Sequence, residues 1–435
     1  MQNKEKRSKL IRKTMVIIFW IIIWALIALF AGNKLLVASP ADTAKEFLLL
    51  FLDKRFYEAV AGSMLRIASG LVAGLMLGVV LASAAYKSEF ISDLFMPLIN
   101  VIKAIPVAAF VVMLLIWWGP KNLAFIICML VVFPSIFFNT LEGLKATDKS
   151  LLEMAKVFKL PKRVVYSYVY KPALRPYVLS AIKVSLGMCW KSGVAAEVIG
   201  LTEGSIGERL YMSKIYFETA SVFAWTVVIV IISCIFEKLI MKITNHYFDV
   251  HVSAIKPANV HEDKNIEFKN VSKAYGDEVV VDSMNASYSS GETYYLNSPS
   301  GSGKTTILNL IAGLVTPDKG EISKSTNIGM MFQNDRLLEE FDAVTNVALV
   351  TGDVNGAKEA LLKVLDEEDL SKKVSQLSGG MKRRVALVRA MESDSDVVLL
   401  DEPYTGMDDK LIDSVKKYIL DSQNGRTLII ATHIM

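Results

Sequence analysis

Cysteine and histidine are scarce in this 435-residue sequence, with three and four copies. Cys128, Cys189 and Cys234 stand far apart in apolar runs and form no C-x-x-C pair. A disulfide framework and a thiolate zinc site are thereby excluded, and buried small hydrophobes are the expected role. His246, His251 and His261 lack the spacing of a helical or hairpin metal site and read as solvated residues of a linker. Net charge is only +4, so its placement matters more than its size. No basic stripe of the kind that follows a nucleic-acid backbone accompanies it.

What the sequence has in excess is apolar length, and that excess is uneven. Hydrophobic residues make up 52% of the chain, concentrated before residue 245 in runs such as "MVIIFWIIIWALIALF". After about residue 260 the pattern is that of a soluble α/β domain. A membrane crossing needs about 20 mostly apolar residues, and six segments qualify: 14–31, 62–85, 98–118, 123–141, 177–198 and 221–243. The first reads as a retained anchor rather than a cleaved signal, because its apolar run is long and Pro40 directly follows the small-residue "VAS". Lysines and arginines crowd residues 1–13 and the loop after the fourth segment, whereas 32–60 and 201–220 are balanced or slightly acidic. With an even span count, both termini and the soluble half are expected on the cytoplasmic side of the cell membrane.

Between the fourth and fifth segments lies a long polar stretch, 142–176. Leu151, Leu152, Ala155, Phe158 and Leu160 recur there at helical spacing and predict a short amphipathic helix. It would lie in the lipid interface or press into a partner. "LLEMAKVFKLPKRVVYSYVYKPALRP" resembles the EAA loop of ATP-binding-cassette importer permeases. Glu153, Met154 and Ala155 fall on the EAA triplet, and Lys159 stands where the family has glycine. The resemblance implies that Glu153 and Ala155 sit on a coupling helix that docks on an ATPase. "AIPVAAFVVMLLIWWG" and "WKSGVAAEVIG" are similar to the nitrate/sulfonate/taurine branch of these permeases, and the likeness covers about residues 60–245.

Ionisable residues within spans are functional suspects. Lys103 is near a helix end and is expected to snorkel. Lys191 and Glu197 lie deeper and, six residues apart, point to different faces of one helix. Lys191 is a candidate to assist an anionic substrate, with an ion pair or a wet subunit interface as the competing reading.

A polar linker is expected over 245–264, followed by an α/β domain from 265. "LNSPSGSGKTTILNL" fits the phosphate-loop rule G-x-x-x-x-G-K-[ST] except that Ser298 replaces the first glycine. A strand runs into it and a helix leaves it, the context such a loop requires. Ser300, Gly301, Ser302, Gly303, Lys304, Thr305 and Thr306 would surround nucleotide phosphates, with Lys304 on the terminal phosphates and Thr305 on Mg²⁺. "VVLLDEP" is a buried strand ending in Asp401, a candidate Mg²⁺ ligand, and Glu402, a candidate base for the attacking water. "LSGGMKRRVALVRA" puts Ser378, Gly379 and Gly380 at a helix start. "GMMFQND" ends at Gln333, read as polar surface or Mg²⁺ sensor. "TLIIATHIM" ends at His433, placed to hydrogen-bond the γ-phosphate.

These five pieces, in this order, resemble the nucleotide-binding domain of ATP-binding-cassette proteins. The resemblance makes "LSGGM" the signature, Gln333 the Q-loop, Tyr275 the adenine-stacking aromatic, Asp408 the D-loop aspartate and His433 the switch histidine. Met381 replaces the signature glutamine, and the short spacing from Lys304 to Gln333 predicts a trimmed β subdomain. Because the signature of one domain closes over ATP held by another, the resemblance implies a homodimer with ATP and Mg²⁺ at two shared sites and twelve spans. No solute-binding domain is evident, so a separate extracytoplasmic binding protein is expected. The expected fold is a six-span α-helical membrane domain over 1–244, fused to an α/β P-loop domain over 265–435. The expected activity is ATP-driven import of a small solute such as a sulfonate, nitrate or a vitamin precursor. A half-size exporter and a membrane-anchored regulatory ATPase are the rival readings.

Overall fold

The computed structural model describes residues 2–33, 35–249, 251, 265–299, 301–323 and 327–433. The chain divides into two compact units, residues 1–146 with 174–249 and residues 147–173 with 250–435. Eleven α-helices precede the first strand among the described residues: α1 Gln2–Ala31, α2 Pro40–Leu50, α3 Lys54–Lys87, α4 Glu89–Ala104, α5 Val107–Trp118, α6 Leu123–Lys145, α7 Lys149–Val157, α8 Lys162–Val165, α9 Lys171–Gly200, α10 Ile206–Ile215 and α11 Thr219–Asp249.

The first unit is all helix. Gly70, Gly74 and Gly78 form a stripe along α3 at four-residue spacing, which lets α6 approach its backbone. A Cβ added at Gly70 would lie 2.4 Å from the carbonyl oxygen of Phe125. This small-residue contact is the way apolar helices pack where no hydrophobic effect separates helix from lipid. Ile67, Leu71, Cys128, Val132, Ile136 and Cys189 fill the seam. Cys234, by contrast, is exposed on α11 rather than buried, beside other outward apolar residues of that helix, Ile231 and Ile235.

The six-span expectation is met only in part. Among the described residues, four helices are long and apolar enough to cross a membrane: Ile11–Ala31 within α1, α3, α6 and α11. The segment expected to span over 98–118 is broken into two helices, α4 and α5, bent by 103°; taken together they are long and apolar enough to count as a fifth span. Pro106 causes the break: it has no N–H to donate, and it forces the preceding Ile105 into extended backbone (ψ 129°). The segment expected over 177–198 lies on α9, which is 30 residues long but is made polar by Lys183, Lys191 and Glu197. Glu197 is fully buried and pairs with Arg66 of α3 at 2.9 Å, not with Lys191. Its other oxygen accepts the Ser63 hydroxyl at 2.7 Å and the Gly207 N–H at 3.3 Å. The interior charge is thus neutralised, and its lone pairs are occupied.

The second unit begins with α7 and α8 and continues in an α/β domain. Its strands are β1 Ile266–Tyr275, β2 Glu278–Tyr288, β3 Thr293–Leu296, β4 Lys319–Ser323, β5 Ile328–Met331, β6 Val397–Asp401 and β7 Thr427–Ala431. Its further helices are α12 Lys304–Ala312, α13 Ala343–Thr351, α14 Val354–Leu362, α15 Glu367–Leu370, α16 Gly379–Met391 and α17 Asp409–Asp421. Three strands form an antiparallel sheet in the order β2-β1-β4, and four form a parallel sheet in the order β3-β7-β6-β5. Every residue of β5, β6 and β7 is buried. That burial is why the sequence of these strands reads as continuous apolar runs rather than alternation. The expected linker is shorter than its 245–264 range at its start, since α11 runs on to Asp249; residues 252–264 lie outside the described residues.

Helix α7 starts at the cap Asp148, whose side chain accepts the Ser150 N–H at 2.8 Å. Met154, Val157 and Phe158 pack with Leu308, Ile311, Val350 and Leu399 in one apolar cluster, so the apolar side of α7 is buried in the α/β domain. Lys159, standing where the resembled loop has glycine, adopts the left-handed conformation that glycine favours, with φ 48°. Its ammonium donates to Asn327 Oδ1 at 2.8 Å, a tie that glycine could not make.

Candidate active site

The register of the parallel sheet brings distant motifs together. Leu296 of β3 and Asp401 of β6 both lie level with Ala431 of β7, and Met331 of β5 lies beside Leu400. The phosphate loop, Gln333, Asp401–Glu402 and His433 therefore leave the carboxyl ends of neighbouring strands, the edge where open α/β sheets bind ligands.

Between β3 and α12, Gly301 and Gly303 adopt φ of 83° and 85°. A Cβ at Gly303 would also lie 2.8 Å from Val280 Cγ1 and 3.0 Å from the Val280 carbonyl oxygen, so this position is closed to side chains twice over. Ser302 folds back, donating its N–H to the Pro299 carbonyl at 3.3 Å. Ser300 lies outside the described residues. Ser298, the departure from the motif, is not among the described non-glycine residues with positive φ; it uses its carbonyl, which accepts from Lys304. A serine is therefore tolerated there without backbone strain.

Lys304 opens α12 and is 7% exposed. Its ammonium donates to the Ser298 and Pro299 carbonyls, the latter at 3.1 Å, and lies 3.2 Å from His433 Nε2. The same His433 nitrogen is 3.0 Å from Glu402 Oε1. Lys304, His433 and Glu402 thus form a continuous polar chain across the mouth of the loop. Thr305 and Thr306 follow in the first turn of α12, and the Thr305 side chain hydrogen-bonds Asp401.

Asp401 ends β6 and is 1% exposed. Burial first, then the charge of Glu402, raises its carboxyl above the usual aspartate range, while Thr305, Arg383 and Lys304 pull it down. Its Oδ2 is buried with no hydrogen-bond partner. A buried carboxylate oxygen left bare is costly, and with the Thr305 hydroxyl beside it this donor set is all hard oxygen, as Mg²⁺ requires. Glu402 has φ 51°, a sparsely populated region for a non-glycine residue. Its N–H donates to the Ala431 carbonyl at 2.8 Å, and Thr405 Oγ1 donates to its Oε2 at 3.2 Å.

The signature forms a second group. Ser378 caps α16 and accepts the Met381 N–H at 3.4 Å, with Gly379 and Gly380 in the first turn. Gly380 borders the Gly406 carbonyl, 3.7 Å from where its Cβ would be. Two residues on, Asp408 caps α17 by accepting the Leu411 N–H at 2.9 Å. Among the described residues, no hydrogen bond or ion pair joins Ser378, Gly379, Gly380 or Asp408 to Lys304, Asp401, Glu402 or His433. The one chain therefore brings together the loop, Asp401, Glu402 and His433, and leaves the signature elsewhere. Tyr275 ends β1, half exposed, with the Lys273 ammonium 5.7 Å from its ring centroid. Gln333 is exposed just after β5, and its carbonyl is held by Arg383 at 2.9 Å.

Arg383 is the residue that sequence reasoning missed. It is 6% exposed and donates through Nη1 to the carbonyls of Phe332 at 2.8 Å and Gln333 at 2.9 Å and to Asp335 Oδ1 at 2.8 Å. Through Nη2 it donates to the carbonyls of Asp401 and Glu402. Arg389, six residues further along α16, is 1% exposed and donates to the Asp335 and Arg336 carbonyls, both at 2.7 Å. Burial pulls its guanidinium down to about 9, which still leaves it charged at neutral pH. The available signal was arginine inside the apolar stretch of "KRRVALVRA", since arginine is seldom buried unless paired.

Glu153 and Ala155 both sit on α7. Ala155 is buried, and Glu153 Oε2 lies 2.8 Å from Arg336 Nη1. The Arg336 guanidinium in turn stacks 4.0 Å over the Phe332 ring, two elements of the same stretch that Arg383 and Arg389 hold.

Fold and site together define a P-loop α/β domain fused to a helical membrane-type domain. Residues 281–405 match the family described as ABC transporter, and residues 74–250 match the family described as binding-protein-dependent transport system inner membrane component. One polypeptide thus carries a portion similar to binding-protein-dependent permease components and a portion similar to ABC ATPases. Curated relatives match over the ATPase portion. The Nod factor export ATP-binding protein I of Burkholderia lata is 38% identical over 39% of this chain and 63% of its own length. The sulfate/thiosulfate import ATP-binding protein CysA of Mesostigma viride is 34% identical over 38% of this chain and 53% of its own. The chain therefore spans less than two thirds of these relatives. An ATP-binding cassette solved as a dimer in a post-hydrolysis state with ADP and Pi is 29% identical, covering 39% of this chain and 88% of that one, with a TM-score of 0.37.

Proposed function

We propose that this chain is an ATP-driven importer of a small solute across the cytoplasmic membrane, working as a homodimer with a separate extracytoplasmic binding protein. Residues 1–244 would be the permease and 265–435 the ATPase. One observation carries the reading: α7 and the nucleotide domain share a core, with Glu153 paired to Arg336 beside the stretch that runs from Gln333 to Asp335. A mechanical link of this kind serves a transporter and has no use in a free ATPase.

In this reading Lys304 leaves the Ser298 and Pro299 carbonyls to hold the terminal phosphates of ATP. Asp401 and Thr305 would hold Mg²⁺, which would neutralise charge on the phosphates. Glu402 takes a proton from the attacking water, and His433, already bonded to Glu402, positions that water against the γ-phosphate. Ser378, Gly379 and Gly380 complete the site of the second copy, which accounts for their separation from Lys304 within one chain. Both termini would face the cytoplasm. Tyr275 would stack on adenine, Gln333 would report the phosphates to α7, and Asp408 would meet the facing copy.

The relatives' names include both export and import proteins, and those matches cover the ATPase portion, so direction rests on the permease portion and its EAA-like loop. The test is uptake by the full chain in liposomes, with and without candidate binding proteins. Uptake that needs both ATP and a binding protein is expected. ATP-driven efflux that needs none would favour the exporter reading.

A further inference from the structure

Asp318 sits in the bend immediately before β4 and holds three consecutive residues of β1. Its main-chain N–H donates to the Ser272 carbonyl at 2.9 Å. One carboxylate oxygen accepts from the Lys273 ammonium at 2.7 Å, and the other accepts the Ala274 N–H at 2.8 Å. The next residue is Tyr275. Among the described residues, the β1–β4 ladder last pairs Ser272 with Lys319, so beyond that pair the Asp318 side chain takes the place of a strand neighbour. The turn is pressed closely onto β1: Gly320 has φ 79°, and a Cβ there would collide with the Asn270 carbonyl oxygen. The Ala274 N–H first, then Lys273, holds the Asp318 carboxyl below the usual aspartate range, so it stays ionised at neutral pH. Lys273 in turn keeps its ammonium 5.7 Å from the Tyr275 ring centroid. The hairpin after Tyr275 returns through Val280, which lies against Gly303 of the phosphate loop. A half-exposed ring is thus carried on the strand pair that borders that loop.

We propose that Asp318 is a positioning residue for the nucleotide base: it fixes the backbone just before Tyr275 and so sets that ring as a platform for adenine. An exposed ring yields its full stacking affinity only where its backbone is already held, since ordering a loop on binding costs entropy. Asp318 removes that cost beforehand, through one charge-assisted hydrogen bond to the chain and one to the neighbouring ammonium. Lys304, Thr305 and Asp401, the groups proposed to meet phosphate and metal, gather at the end of the parallel sheet, whereas Asp318 acts on the antiparallel one. Its effect should therefore reach the base and spare the phosphates. This inference rests on the reading of Tyr275 as the adenine-stacking residue, to which it adds the group that holds the ring in place.

The test measures ATP hydrolysis by the full chain in phosphatidylcholine nanodiscs, with inorganic tripolyphosphate as a competitor that carries phosphates and no base. Tyr275→Ala should raise KM for ATP about tenfold, within the range of one base–aromatic stack. Asp318→Ala should raise it about fivefold while kcat and tripolyphosphate inhibition change less than about twofold, a loss of base binding rather than of chemistry. Asp318→Asn keeps an acceptor for the Ala274 N–H and should recover most of the loss. In the Tyr275→Ala background, Asp318→Ala should add less than about twofold, because both act through one ring. Unchanged gel-filtration profiles show that the variants fold; Asp318→Ser, one bond shorter than the native side chain, supplies the same readings if Asp318→Ala does not. Equal losses for ATP and tripolyphosphate would make Asp318 a general structural support and overturn the inference. Additive losses in the double variant, or a normal KM in Asp318→Ala while Tyr275→Ala is impaired, overturn it and leave the stacking reading standing. A KM unchanged by Tyr275→Ala removes the stacking reading itself, and this inference with it.

Discussion

Arg383 donates to the main-chain carbonyl of Glu402 at 2.8 Å, so the helix that the signature begins holds the backbone of the candidate base. Glu402 needs such support, because its φ of 51° is unfavourable for a residue with a side chain. The same guanidinium fixes the carbonyl of Gln333 at 2.9 Å, which ties three motifs to one group. Arg383→Met should lower kcat for ATP hydrolysis by about 10- to 100-fold with a smaller change in KM, a loss of positioning rather than binding. It should also cost about 2–4 kcal/mol of stability, because several buried carbonyls lose a charged donor. Steady-state kinetics and chemical denaturation check the two effects separately.

The phosphate loop yields a paired prediction. Ser298→Gly should leave ATP turnover within about twofold, since Ser298 does not need left-handed backbone. Gly303→Ala should reduce it by about 100-fold or more, because both φ 85° and the 2.8 Å approach of Val280 oppose a Cβ. Equal effects from the two substitutions would mean that the loop is built differently.

Burial raises the Asp401 carboxyl above its ordinary value of 3.8, and the sign of the consequence follows. Before Mg²⁺ can bind, the carboxyl must lose its proton, so affinity should fall as pH drops through the raised value, and binding within that pH range should release protons. Calorimetry of Mg²⁺ and ATP binding in buffers of different ionisation heat measures that release. Asp401→Asn should remove the proton release together with most of the metal dependence.

Much of the α/β half was legible because its chemistry is local. The phosphate loop, the acidic strand end and the terminal histidine each announce themselves in a few residues, and the parallel register then aligns them. Arg383 was not legible, because its importance comes from carbonyls of residues about 50 and 18 positions away in sequence, which carry no side-chain signal. The break at Pro106 was hidden by the apolar run around it: hydropathy counts residues but does not see a missing N–H. At Lys159 the motif's glycine was absent while its backbone conformation persisted, so the departure in residue type was no departure in shape.

Charge reversal probes the link through α7. Glu153→Arg or Arg336→Glu alone should lower the ratio of solute transported to ATP hydrolysed, and the double exchange should restore much of it. The pair is partly exposed, with side chains 49% and 17% accessible, so its effect on stability should stay near 1 kcal/mol or below. Transport and hydrolysis measured on the same liposomes give the ratio.

The most direct test of the account is ATP turnover by the full chain in liposomes, comparing the native protein with Glu402→Gln. That substitution keeps the size of the side chain and removes its ability to take a proton from water. The account predicts turnover reduced by about 100-fold or more, with ATP still bound and solute accumulation abolished. Turnover unchanged by Glu402→Gln, or transport that continues without it, would contradict the claim that hydrolysis at this strand end drives the membrane domain.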